Sequence, residues 1–428
     1  MAEHGGKRMR FSTTLAAMVV CMLVLAPFSN PEATDAENRL MPEPVMKTDA
    51  NNLSGWLASA GGSSAERVQA MLSLPNGSMI VAGMFEQTIE FYGDVIGYSS
   101  NDSSFGIDFF VAWIDENGTW TETLSASSSG LDGIDAMARL SDGTLVMAGT
   151  FCGMTKGDAC NLTLAGLDPL NKSNDDDDNA VFLAAMSPTG GWMWATSFSN
   201  NYQTSVMDLL ITPNDEVHLA LLHRDTLMSG DDVAPGSLSE DTLAVLVLDS
   251  NGNHMHMNTV FSSESLDGMG SLCMDYTGQT YLVTSFLDQI NFGDHELTSF
   301  GGSHIAVGQY NSGGWLWASG AGGTSDASVA DCDGRNDGGV AVVGDFIQNL
   351  TFGDIEIASS VWFDFYEAHI GSDGTWLHAA GFGGSGADHA VAIHITEQGD
   401  SIVLGRSTGT ITLGAVSYTH LRAHETTN

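Results

Sequence analysis

Between residues 55 and 414 apolar and polar positions alternate in short runs, and no run keeps the three-to-four spacing of a helix. The run 340–346 (VAVVGDF) has counterparts at 80–85, 145–151 and 281–286. A second kind of run, 364–370 (DFYEAHI), has counterparts at 108–114, 180–186, 241–248 and 303–310. It leads through a tight turn, such as Glu116-Asn117-Gly118, Ser250-Asn251-Gly252 or Asp373-Gly374, into a run that starts with Trp or His. Asn-Gly and Asp-Gly between apolar runs mark hairpins, because Gly tolerates positive φ. The pattern predicts an all-β chain of antiparallel strands.

These runs form a cassette that starts at residues 56, 120, 192, 254, 315 and 376, at intervals of 64, 72, 62, 61 and 61. Each cassette holds four runs. One four-stranded sheet cannot cover both of its faces, whereas like sheets stacked around an axis cover each other. The expectation is therefore a β-propeller of four-stranded antiparallel blades over 55–414, with about six blades visible and the last incomplete. Gly-rich joints (Gly61-Gly62, Gly322-Gly323, Gly383-Gly384) let backbones approach at the corners. The first Trp-led run, 56–61, has no blade of its own and could close the ring by pairing into the last one.

Both ends read differently. Lys7, Arg8 and Arg10 precede the apolar run 15–26, which is too short to span a bilayer and is expected to be part of a signal peptide over 1–29. Cys21 lies inside that run without the small residue that lipid modification would need before it. A polar linker, 30–54, follows. Residues 415–428 (from AVSYTHLRAHET) match the in-frame translation of a transposase-type sequencing adapter and are expected to be a non-native tail. Without these ends, 30–414 carries 9 Lys+Arg (13 minus 4) and 51 Asp+Glu (53 minus 2), a formal charge of −42. Such a surface repels nucleic acid and anionic lipid, which leaves an extracellular protein or a glycan as the expected partner. Insertion of the mature part into a membrane is not expected, and a monomer is.

The cassette 322–376 carries Gly322-Gly323, Asp326, Gly338-Gly339, Gly344, Phe346, Asp364-Phe365, Gly374 and Trp376, with similar sets at Gly83/Phe85 and Asp108/Phe109. This pattern resembles the SBBP-type β-propeller repeat of secreted and surface proteins, over roughly residues 55–414. The resemblance implies architecture and no particular activity. The third cassette departs from it, since Leu219–His223 lacks the Gly-x-Phe ending.

Candidate chemistry is sparse. Asp331, Asp333, Asn336 and Asp337 supply the hard oxygens that Ca²⁺ prefers, although Arg335 interrupts them, and an Asp-rich turn bonding its own backbone uses the same residues. The acidic run 174–179 lies in the longest cassette and reads as a solvated loop. Cys152 and Cys160 are expected to form a disulfide in an oxidising compartment. Cys273 and Cys332 lie on neighbouring inner strands one position out of register, and are expected as buried thiols. His254 and His256, at period two, are expected on one face of a strand without an assignable third metal ligand, while His389 and His394 have opposite parity. The recurring Trp residues are expected to pack between blades. Sequons at Asn52, Asn76, Asn101, Asn117, Asn161, Asn171 and Asn349 mark candidate glycosylation sites.

No nucleophile elbow or phosphate loop is present. The reading is an exported acidic binding or scaffolding module at or outside the cell surface. The alternative is an extracellular enzyme on the same scaffold, such as a polysaccharide lyase, a hydrolase or a quinone-dependent dehydrogenase. Arg67, Asp208, Asp275 and His394 are the inner-strand groups that could line a central site.

Overall fold

The computed structural model describes residues 58–419, apart from 63, 92–93, 98–105, 155–159, 173–178, 199–203, 237–240, 265, 267–269, 360–361, 409 and 414–415. The signal and linker segments, Trp56, the acidic run 174–178 and residues 420–428 lie outside this set. Among the described residues every element is a β-strand.

Five units of four antiparallel strands follow one another. The fifth is typical: Ala327–Gly334, Val340–Phe346, Asp364–Ile370 and Trp376–Gly384 pair in that order. A sixth unit contributes Asp388–Ile395 paired with Ser401–Ser407. Between its second and third strands each complete unit also carries a small hairpin, such as Asn349–Phe352 with Ile355–Ala358. These hairpins serve the preceding unit. The third unit's outer strand, His254–Ser262, pairs with Gln289–Phe292 of the fourth, and Gly322 bridges Thr351 of the fifth. Ala60–Gly62, outside the five units, pairs with Thr88–Phe91 in the same way. Val416–Thr419 pairs with Thr410–Leu413, which pairs in turn with Trp376–Gly384.

Apolar cores lie between consecutive units, front to back. Phe109, Val111 and Trp113 of the first share a core with Leu145, Met147 and Phe182 of the second. Leu243, Val245 and Val247 of the third meet Leu282, Ala306 and Tyr310 of the fourth. The four-stranded sheets are buried on both faces for this reason, and the second strands read as nearly continuous apolar runs.

Front-to-back stacking also revises the cysteines. Residues that meet across such an interface have opposite strand parity, so the one-position offset of Cys273 and Cys332 brings them together. They are disulfide-bonded, with Cα atoms 6.1 Å apart, and are not free thiols. Cys152 and Cys160 are bonded as well, with Cα atoms 5.8 Å apart.

Two bulges recur in the repeat. One extra residue enters the inner strand, at Ala330 in the fifth unit, between the pairs Val329–Gly344 and Asp331–Val343. It pushes a carbonyl toward the second strand: a Cβ on Gly344 would lie 1.8 Å from the Ser328 oxygen, and one on Gly83 would lie 2.0 Å from that of Arg67. In the first, second and fifth units the Gly of the Gly-x-Phe motif makes room for that carbonyl, whereas the third unit carries its bulge beside Leu221. The other bulge opens the outer strand. Trp315 pairs with Tyr310 and Trp317 with Gln309, which leaves Leu316 extra and half-exposed.

The outer bulge turns the two Trp of each Trp-x-Trp to opposite faces. Trp315 Nε1 donates backward to the Thr259 carbonyl at 2.8 Å, while Trp317 Nε1 donates forward to that of Ser372 at 3.0 Å. Trp120, Trp376 and Trp194 make corresponding bonds. Trp315→Phe keeps an aromatic side chain, loses one partly buried bond between units and trims the ring packed on Phe292 and Tyr310. A cost of about 1 kcal/mol in equilibrium unfolding is expected.

Candidate functional site

In the third to sixth units the inner strand has one edge that its own sheet leaves open, and the backbone amides there need acceptors. Carboxylates of the preceding unit meet them in the fourth and sixth units, and the Ser285 hydroxyl accepts from the Val329 amide in the fifth. Asp208 accepts from the Leu272 amide and the Ser271 hydroxyl, both at 2.8 Å. Asp331 accepts from the Ile393 amide at 2.9 Å and from Ser271 Oγ at 3.3 Å. Asp275 accepts from the Gly339 amide at 2.9 Å, from Tyr281 Oη at 2.8 Å and from its own turn at Thr277 and Gln279. Burial alone would raise the Asp275 carboxyl, but this set of donors holds it below the usual range.

The densest polar set lies between the fifth and sixth units. Asp345 faces His389 Nδ1 at 2.7 Å and accepts from the Ala390 amide at 2.9 Å. Asp333 accepts from the Ile395 amide at 2.7 Å and lies 3.1 Å from His394 Nδ1. Glu367 lies 2.8 Å from His369 Nε2, and the His378 ring is 5.4 Å from that of His369 on the paired strand. In the register of the other four complete units, the place of Glu367 is taken by Val111, Leu183, Val245 and Val307. Charge has replaced core at this one junction. Burial pushes the Asp345 carboxyl up, against the pull of His389. Burial also works on Glu367, yet the hydrogen bonds from His369 and Ser401 outweigh it and the net shift is downward.

The residues singled out for calcium are employed otherwise. Asp331 and Asp333 hold the sixth unit's inner strand. Asn336 Nδ2 donates to the Thr396 and Glu397 carbonyls at 3.1 and 2.9 Å. Asp337 accepts from Arg335 Nη2 at both carboxylate oxygens and from Nε at one, and this guanidinium holds its carboxyl low. The four side chains go to different partners. Among the described residues no group of three or more His, Cys, Asp or Glu side chains is arranged to hold a metal ion.

Bulges correct two parity expectations. His254 pairs with Leu248 and His256 with Val247, so the two rings point to opposite faces. His254 engages Ser229 and Asp232, both at 2.9 Å. Val391 is extra in the sixth unit's inner strand, which puts His389 and His394 on one face, each against a carboxylate of the fifth unit.

Of the inner-strand groups considered for a central site, Asp208, Asp275 and His394 are bound across unit boundaries and Arg67 is exposed. Ser271, Asp345, Glu367, His369 and His378 were not singled out in the sequence. Aligning the cassettes column by column would have found Glu367, as a charge in an otherwise aliphatic column. A scan against family models finds no match for the chain, and a search of curated proteins finds none either.

Proposed function

We propose that the chain is an exported, acidic β-propeller of about six blades that serves as a binding or scaffolding module outside the cell. The single observation carrying this reading is the conversion of the inner-strand carboxylates into links between consecutive units, because ionisable groups near the axis act as mortar. Front-to-back cores and the passing of each outer strand to the next hairpin support a radial arrangement of blades. Ala60–Gly62 holds the position of an outer strand from a blade preceding the first, which supports closure by the N-terminal run. The basic start, the short apolar run and the two disulfides support export to an oxidising compartment. The adapter-like tail from 415 is proposed as non-native, and the SBBP-type likeness as the repeat's lineage.

Projection images of the protein down its short axis should show about six radial lobes around a centre; two flat layers would sink the propeller. For the function, the protein is incubated with a panel of neutral and acidic polysaccharides. Saturable retention with unchanged polymer length agrees with a binding module. Chain shortening that disappears in Asp333→Asn would favour the enzyme reading, because Asp333 and His394 form the exposed acid–base pair of the junction.

A further inference from the structure

In the first, fourth and fifth units two aromatic rings clasp the small hairpin to its own sheet. The last residue before the hairpin turn is Phe91, Phe292 or Phe352. Each ring meets edge-on the Trp that starts the outer strand: Trp120 at 4.7 Å, Trp315 at 4.8 Å and Trp376 at 4.9 Å. Each of these Trp also donates Nε1–H to a backbone carbonyl outside its unit, that of Ser59, Thr259 or Gly320.

The third unit keeps this geometry and changes the chemistry. Its hairpin pairs Ser229 with Asp232 across the turn Gly230-Asp231, so Ser229 stands where the others have Phe. Its outer strand starts with His254 opposite Leu248, in the place of Trp120 opposite Ile114, Trp315 opposite Tyr310 and Trp376 opposite Ile370. His254 joins the two hairpin residues: Nδ1 lies 2.9 Å from Ser229 Oγ and Nε2 lies 2.9 Å from Asp232 Oδ2. The ring is seated on the turn, where a Cβ on Gly230 would come within 2.7 Å of His254 Cδ2. Both ring nitrogens are thus engaged within the hairpin. The third unit forgoes an aromatic pair and a bond between units, and gains a hydroxyl, an imidazole and a carboxylate in hydrogen-bonded series. Departures from an otherwise consistent local rule concentrate at functional sites.

This series is the one that nucleophilic acyl transfer uses. With Nε2–H donated to the Asp232 carboxylate, Nδ1 is the acceptor for the Ser229 hydroxyl proton. The Asp232 side chain is 48 % exposed and the His254 ring 14 %, so the series reaches solvent at its acidic end. Ser229 is 8 % exposed, which admits only a small acyl group. The exposed Asp231 beside it and the acidic surface as a whole disfavour an anionic substrate.

We propose that Ser229, His254 and Asp232 form a hydrolytic site on the third unit's hairpin that cleaves small acyl esters of uncharged alcohols. Ser229 Oγ bonds to the acyl carbon as its proton passes to His254 Nδ1, and the carbonyl π pair moves to oxygen. The amides of Gly230 and Asp231, in the two-residue turn beyond the paired residues, are the donors next to that oxyanion. Collapse breaks the bond to the alcohol oxygen, which leaves with the proton from Nδ1. Water then attacks the acyl-serine and gives one proton to Nδ1, and Ser229 takes that proton back as the carboxylic acid departs. Asp232 is a positioning residue that keeps Nε2–H in place and faces the imidazolium. The site lies on a hairpin and not among the inner-strand links, so it stands or falls apart from the binding role proposed above.

The test uses the full chain with two probes, para-nitrophenyl acetate and a fluorophosphonate. Mass spectrometry of the unaltered protein should place the fluorophosphonate adduct on Ser229, and heat-unfolded protein should not acquire it. Ester hydrolysis should turn over, and should fall at least about a hundredfold in Ser229→Ala and in His254→Gln. Asp232→Asn should lower kcat and leave KM unchanged; an unchanged kcat would overturn its positioning role. A folded protein without an adduct on Ser229, or hydrolysis undiminished in Ser229→Ala, would overturn the proposal. Adduct mapping needs no variant, so the outcome does not depend on whether a substitution folds.

Discussion

Phe182→Ala is expected to remove about 4 kcal/mol of stability. The Phe182 ring is fully buried, stacks at 5.4 Å and 19° on Phe109 of the preceding unit and meets Phe151 edge-on at 6.4 Å. Deleting it opens a cavity between two sheets that are each fixed by their own hydrogen bonds, so the space cannot close by collapse. Phe300→Ala is the control: that ring is 73 % exposed, and a change within about 0.5 kcal/mol is expected. Urea titrations of both variants would decide the matter. Near-equal midpoints would mean that the interface between the first and second units does not contribute to the cooperative unfolding step.

The second large effect is a hidden pH dependence. Burial pushes His218 down to about 4, while Nδ1 lies 2.8 Å from the Tyr310 hydroxyl. With an ordinary value of 6.5 when unfolded, the folded state binds fewer protons between pH 4 and 6.5. The stability that His218 contributes is therefore present above pH 6.5 and lost toward pH 4, by about 3 kcal/mol. Asp132 has the opposite sign. Burial raises it to about 6 from 3.8, against the bonds from Ser128 and the Cys152 amide, so its ionised form costs about 3 kcal/mol above pH 6 and that cost fades as pH falls to 3.8. The two slopes nearly offset between pH 4 and 6. His218→Gln keeps an acceptor for Tyr310 and removes one slope, so this variant should gain stability on acidification from pH 6.5 to 4.5 relative to the parent. Parallel stability–pH curves for the two proteins would show that His218 takes no part.

Strand identity and spacing were legible in the sequence because alternation and turn chemistry are local. Asp364–Ile370 and Val340–Phe346 need nothing from elsewhere to read as strands. Facing relations were less legible. A single inserted residue reverses parity, and neither Leu316 nor Val391 carries a local mark that it is extra. The errors for His254/His256 and His389/His394 come from those two kinds of bulge. The free-thiol expectation for Cys273 and Cys332 failed for a related reason, since same-register comparison tests for contact within a sheet, not across stacked sheets. The acidic turn 331–337 was recognisable as unusual, but its partners Ile393, Ile395 and Thr396 are about sixty residues away.

The inner-strand links make the repeats non-interchangeable. Asp208 and Asp331 occupy equal positions in the third and fifth units, and the fourth has Ser271 there, whose hydroxyl serves both carboxylates. Excising the fourth cassette cleanly would bring the two carboxyl side chains face to face with the shared donor gone. Gain or loss of a repeat is therefore constrained by which neighbours become joined, and not only by preserving the length of the module.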